Sequence, residues 1–262
     1  MNAPVRALQH LAIEERGAIA VVRLDRPAKR NAIDDGLIAS LERFFETVPD
    51  GAKAVVLAGN GEHFCAGLDL SEHRHRDAFG VMQHSQMWHR VFEKIQFGRA
   101  PVVAAMQGGV IGGGLELAAA AHVRVADKTA FYALPEGQRG IFVGGGATVR
   151  VGRIIGSGRL VEMMLTGRSY DAQQGQSLGL SHYLVEPGEA FEKAIELAER
   201  IAGNAALSSY AILNAIPRIE DMSMKDGLFT ESLMAALAQT GEEVGERLRA
   251  FLERKSGPAK KG

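Results

Sequence analysis

The sequence predicts an α/β layered domain that closes in a purely helical region. Three features carry that prediction. Short apolar runs of strand character alternate with segments of helical periodicity as far as Val185, the pattern of a layered α/β domain. Two glycine clusters, within residues 108–114 and 144–146, stand where strand-like runs give way to helical ones. From about Ala190 onward the apolar residues recur at helical spacing only. The expected division is therefore a core of residues 1–190 and a helical region of residues 191–262.

Each element has its own signal. Leu11 and Ile13, then Ile19, Val21 and Leu24, alternate along two short runs separated by a glutamate- and glycine-containing turn, which reads as a hairpin. Leu37, Leu41, Phe44, Phe45 and Val48 recur at helical spacing, and Asp34 is placed to cap that helix. Residues 53–58 form a short apolar strand, residues 64–69 a turn, and residues 78–97 a long polar helix. Another buried strand spans 101–106; the first glycine cluster follows, then an apolar helix over 115–121. Residues 123–126 and 130–132 are short strands, and the cluster at 144–146 opens a further helix. Helices over 192–202, 207–216, 228–238 and 244–252 complete the chain.

Composition narrows the class. The chain has 262 residues, 46% hydrophobic and 23% charged, which is ordinary for a soluble globular protein with a substantial core. A formal net charge of −1 gives no electrostatic case for nucleic acid or an anionic membrane. No run of about eighteen apolar residues is present, so no membrane span is expected. The one cysteine, Cys65, cannot form an intrachain disulfide and suits a reducing compartment. The opening MNAPVRALQH lacks the apolar stretch of a signal peptide, so cytoplasm is the expected location.

Gly108, Gly109, Gly112, Gly113 and Gly114 lie between a strand and a helix. Glycines there allow either close helix–strand packing or close backbone approach to an anionic ligand at a helix N-terminus. The spacing is not G-x-G-x-x-G, and no Lys-Ser/Thr follows, so neither the dinucleotide fingerprint nor a P-loop is present. Glu116, set among Leu115, Leu117 and the alanines that follow, is either a first-turn partner of the helix dipole or a buried acid–base group. Glu136, in ALPEGQRG, reads on its own as a surface charge. Twenty residues and two strands separate the two glutamates, and nothing in the spacing brings them together.

Three stretches together resemble the crotonase, or enoyl-CoA hydratase, superfamily: HFCAGLDLSE over residues 63–72, VIGGGLELA over 110–118 and FYALPEGQRGIFVGGGATVRV over 131–151. LDRPAKRNAI over 24–33 and MLTGRSYDAQQGQSLGL over 164–180 match as well. The resemblance implies a superhelix of ββα turns followed by helices that build trimers, often paired into hexamers. It implies an oxyanion hole made by the N–H groups of Leu68, before Asp69 in the Ala66-Gly-x-Asp turn, and of Gly113. It assigns Glu116 and Glu136 to the two glutamates that hydratases use on water and on the α-carbon. Gly144 matches the glycine near that pair, preceded here by Val143 where the family usually has proline. Lys29, Arg30, Phe251 and Lys255 match positions that contact coenzyme A, the last two often across a subunit boundary. The implied partner is an acyl-CoA thioester, with no cofactor beyond the coenzyme A of the substrate and no metal.

That chemistry needs these groups. Water addition to a conjugated thioester builds negative charge on the thioester oxygen, which two aimed N–H donors stabilise. Two carboxylates can remove a proton from water and deliver one to the α-carbon. The expected function is hydration of a 2-enoyl-CoA. The alternatives are isomerase, hydrolase or decarboxylase chemistry on the same scaffold, and a non-catalytic CoA-thioester binder. His63, His73, His75, His84 and His89 cluster, but neither His73/His75 nor His84/His89 has the spacing of one helix face, so lining or surface positions are expected over a metal site. Residues 175–179 match G-x-S-x-G literally, yet a helix precedes Ser177 and a strand follows, the reverse of a nucleophile elbow.

Overall fold

The computed structural model describes residues 8–72, 76–241 and 244–256, without the side chains of Glu72 and residues 254–256. The chain divides into two compact units, one ending at Ala202 and the other beginning at Gly203.

In the first unit, β1 (Leu11–Arg16) and β2 (Ile19–Leu24) form an antiparallel hairpin. Helix α1 (Asp35–Glu46) starts where Asp34 accepts a 2.7 Å hydrogen bond from the Leu37 N–H, the cap expected from the sequence. Then come β3 (Ala54–Gly59) and the long helix α2 (Ala78–Gln96). Next are β4 (Val102–Met106), β5 (Gly109–Ile111) and α3 (Gly113–Ala120). They are followed by β6 (Val123–Asp127), β7 (Phe131–Ala133), α4 (Arg150–Ile155) and α5 (Ser157–Thr166). The unit ends with β8 (Ser169–Asp171), α6 (Ala172–Ser177), β9 (Tyr183–Val185) and α7 (Ala190–Ala202).

Strand, strand, helix recurs along this order. The second turn has only a vestige of its second strand: single bridges link Ile33 to Leu68 and Cys65 to Val110. Six strands form one sheet in the order β1-β2-β3-β4-β6-β9, parallel except for the hairpin, and β5-β7-β8 form a second sheet. The central strands are apolar at consecutive positions because both faces of the large sheet are covered. Val21, Val56, Val103 and Val125 pack with Ala194, Leu197 and Ala198 of α7. Their neighbours Val22, Val55, Leu57 and Ala104 face the opposite core, with Leu37, Leu41, Val91, Phe92 and Leu117.

Three readings need correction. The first glycine cluster is not a plain loop: residues 109–111 are a strand, paired with β7. The second cluster does not open a helix directly; α4 starts at Arg150, because the N–H groups of Gly145 and Ala147 are turned onto Glu116. Helix α7 packs on the sheet and belongs to the first unit, beyond the expected boundary at 190.

The second unit comprises α8 (Ala206–Ile219), α9 (Met224–Gln239) and α10 (Val244–Ser256). Gly227 lets α8 and α9 meet closely, since a methyl group there would stand 3.1 Å from Ile219 Cγ2. No described helix of either unit is long and apolar enough to cross a membrane.

Candidate functional site

The turn at residues 65–69 is held on two sides by main chain. Toward β5, the Cys65 N–H donates to Gly109 O at 3.0 Å and the Ile111 N–H donates to Cys65 O at 3.0 Å. Toward the segment before α1, the Ile33 N–H donates to Gly67 O at 2.7 Å and the Asp69 N–H to Ile33 O at 2.9 Å. Gly67 adopts φ +86°, and a methyl group on it would lie 2.7 Å from Ile111 O and 3.1 Å from the Gly113 nitrogen. A methyl group on Gly113 would lie 2.7 Å from Trp88 Cζ3 and 3.5 Å from the Leu68 nitrogen. Both glycines are therefore required by close approach, and the Leu68 and Gly113 nitrogens are neighbours. Among the described residues, neither N–H donates to a protein acceptor. Gly113 opens α3, so its N–H is one of the donors a helix start leaves free. Beneath the turn lies Cys65, fully buried, its Sγ donating to Asn31 O at 3.1 Å and its thiol pushed by burial up to about 12.

Glu116, one turn into α3, is buried. Its Oε1 accepts from the Gly145 N–H at 2.8 Å and the Ala147 N–H at 2.9 Å. Burial raises the Glu116 carboxyl above the usual carboxylate range, while these donors and the Arg150 guanidinium pull it back. Gly145 has no room for a side chain, because a methyl group would stand 2.7 Å from Glu116 Oε2.

Glu136 has different surroundings. It precedes a single 3-10 turn at Gly137–Arg139, and its Oε2 is buried without a hydrogen-bond partner among the described residues. Burial pushes the Glu136 carboxyl up to about 7; its own N–H and Arg139 act to lower it, and Glu116 acts to raise it further. A methyl group on Gly112, next to the Gly113 donor, would lie 2.5 Å from Glu136 Oε1. The β5–β7 pairing brings this about: Ile111 lies opposite Ala133, and the Gly112 N–H donates to Ala133 O at 2.9 Å.

Leu68, Gly113, Glu116 and Glu136 all line one cavity of about 440 Å³. Its other wall is made by side chains of α2 and the segment after the 3-10 turn, chiefly Val81, Met82, Trp88, Ile141 and Phe142. The arrangement can hold an oxyanion at two N–H groups while presenting two buried carboxyls with different hydrogen-bond partners. Burial raises both carboxyls, and they differ in their partners: Glu116 accepts from two backbone N–H groups, while Glu136 Oε2 has no hydrogen-bond partner among the described residues.

The remaining expected positions are spread out. Gly144 lines the cavity, and its carbonyl accepts from Ser85 Oγ at 2.6 Å. Ala66 is half-buried in the turn, its N–H donating to Arg30 O at 2.9 Å. Asp69 is buried and turned away from the cavity lining. It accepts from Ser71 Oγ at 2.6 Å and pairs with Arg26 at 3.1 Å, and the Ser71 hydroxyl holds its carboxyl below the usual range. Lys29 and Arg30 are exposed, with Lys29 Nζ donating to Ser71 Oγ at 2.9 Å. Phe251 is exposed on α10 in the second unit, and the Lys255 side chain lies outside the described residues. So do His73 and His75; His84 pairs with Asp35 at 2.9 Å, and His63 Nδ1 accepts from the Gly109 N–H. Ser177 Oγ donates to Gln174 O within α6. Sequence reasoning missed Gly145, Ala147, Arg150 and Ser85; only the glycine cluster gave a signal for the first two.

The chain matches the family described as "Enoyl-CoA hydratase/isomerase" over residues 14–261. It is 34% identical to "Probable enoyl-CoA hydratase 2, mitochondrial" of Arabidopsis thaliana, over 95% of this chain and 83% of that one. It is 30% identical to the 2,3-dehydroadipyl-CoA hydratase of Escherichia coli, over 95% of this chain and 98% of that one. A crystal structure from Rhodopseudomonas palustris, described as a "putative enoyl-CoA hydratase", superposes with a TM-score of 0.93 at 53% identity, covering 97% of this chain and 98% of that one. The expected ββα superhelix with a helical C-terminal region is thereby borne out.

Proposed function

The chain belongs to the enoyl-CoA hydratase/isomerase family, and from that premise we propose that it is an enoyl-CoA hydratase, adding water syn across the 2,3 double bond of a 2-enoyl-CoA thioester. The observation that carries this reading is the pair Glu116 and Glu136, lining one cavity, the first held by two backbone N–H groups and the second by none at its Oε2, beside two unengaged N–H groups.

In the proposed reaction the thioester oxygen accepts from the Leu68 and Gly113 N–H groups. The Glu116 carboxylate takes a proton from water as the water oxygen bonds to the β-carbon. The electron pair of the double bond moves toward the thioester, and the α-carbon takes the proton of the Glu136 carboxyl. Proton exchange between the carboxyls or with solvent then restores the starting pair. Each carboxyl is worth roughly 10²–10⁴ in rate, and each oxyanion donor about 10²–10³. Hydration by this route calls for no cofactor beyond the coenzyme A that the substrate carries. Lys29 and Arg30 are the cations proposed to meet its phosphates.

Loss of the enoyl-thioester absorbance measures the reaction. Glu116→Gln and Glu136→Gln keep shape and remove acid–base function, and each is expected to lower hydration by roughly 10²-fold or more with ester binding largely kept. The double variant should lose less than the product of the single losses, because the pair serves one water and one proton inventory. Wild-type rates in both single variants would sink the proposal. A mild Glu116→Gln with preference for 3-enoyl-CoA would turn it into an isomerase.

A further inference from the structure

Ser85 sits inside α2, where a serine hydroxyl commonly bonds back to its own helix. Here it leaves the helix. Its Oγ donates to Gly144 O at 2.6 Å, across 59 residues of sequence, and lies 3.4 Å from His89 Nε2 one turn further on. The accepting carbonyl belongs to the same peptide unit as the Gly145 N–H, which donates to Glu116 Oε1 at 2.8 Å. Hydroxyl, peptide and carboxylate thus form one directional chain. A peptide whose carbonyl accepts a strong hydrogen bond becomes a better donor at its N–H, and such chains strengthen cooperatively.

We propose that Ser85 is a positioning residue for Glu116: through the Gly144–Gly145 peptide it aims and polarises the N–H that holds the Glu116 carboxylate. This rests on the reading of Glu116 as the base that activates water. Nothing else described holds that peptide from the α2 side. From α4, Arg150 donates to Gly145 O at 3.2 Å, one peptide further on. The charged and titratable groups that face Glu116 are Glu136 from the 3-10 turn and Arg150 from α4. His89 and Glu93 stand behind on α2, His89 beside Ser85 and Glu93 facing Arg150.

A carboxylate that loses part of its hydrogen bonding is harder to ionise. Ser85→Ala is therefore expected to lower kcat for a short 2-enoyl-CoA by roughly 2–10-fold, the range for one hydrogen bond of ordinary worth. It should also move the acid limb of the kcat–pH profile to higher pH. Ser85→Thr, which keeps the hydroxyl, should restore both. Ser85→Cys, a similar shape with a weak donor, should fall between and serves if the alanine variant does not fold. A lower kcat with an unmoved acid limb would overturn the inference, since Ser85 would then be only a piece of the cavity wall; so would unchanged kinetics. Glu116→Gln measured alongside separates the two levels. If it hydrates at the wild-type rate, the base assignment falls and this inference with it. If it is inactive while Ser85→Ala keeps the wild-type limb, the inference alone falls.

Discussion

On one side of the cavity the Leu68 and Gly113 nitrogens are held chiefly by main chain, zipped between residues 30–33 and 109–111 and pressed so close that glycine is required at 67 and 113. On the other side Val81, Met82 and Phe142 present half-bare side chains; Phe142 is 71% exposed. The first wall has one arrangement and no slack. The second can change residue by residue without disturbing the first. Under the proposed function, a scaffold built this way would keep one oxyanion geometry while the acyl group it admits varies.

The sharpest way to break this comparison is Gly113→Ala. The added methyl group meets Trp88 Cζ3 at 2.7 Å, so either the indole or the N–H must move. Hydration should fall by roughly 10²-fold or more, as for loss of one oxyanion donor, with the circular dichroism of the folded chain retained. Activity within a few-fold of wild type would show that the backbone wall has slack after all.

Glu136→Gln gives a smaller effect, read as stability. The folded carboxyl is held at about 7, against 4.5 for an ordinary glutamate. Between those pH values the unfolded chain releases the proton and the folded chain keeps it, so wild-type stability falls as pH rises through the window. The glutamine variant escapes that fall. Its unfolding free energy, read from denaturant titration, should exceed that of wild type at pH 8 by about 1–3 kcal/mol, and the advantage should vanish near pH 4. A variant no more stable at pH 8 would mean that Glu136 ionises without cost.

Phe142→Ala should do least. Most of the ring stays in water, so KM for longer acyl chains should rise by under about tenfold, and a short 2-enoyl ester should feel less. A loss of kcat equal to that of Gly113→Ala would abolish the distinction between the walls.

The same contrast decides what could be read from sequence. Most strands and helices were legible because buried positions repeat with period 2 or 3.6, and the Asp34 cap and the glycine clusters announced the turn and the start of α3, whereas α5 and β8 went unread. Strand β5 was not, since three residues with a glycine among them carry no period. Nor, without the family resemblance, was the meeting of Glu116 and Glu136 in one cavity, which follows from the register of β5 on β7, a property of two strands together. The start of α4 was misplaced for a related reason: the donors that would begin a helix at Gly145 are committed to a carboxylate 29 residues earlier.

Cys65 gives the turn proposed to hold the oxyanion an address of its own. It is the chain's single thiol, sealed under residues 65–69 and held in the unreactive protonated form. An alkylating reagent can reach it only while that stretch is parted from β5 or from residues 31–33. The rate at which the thiol is consumed is thus a clock for the fleeting openings of that frame. It ticks without any introduced label, and it can be compared directly with the rate at which the whole molecule comes undone.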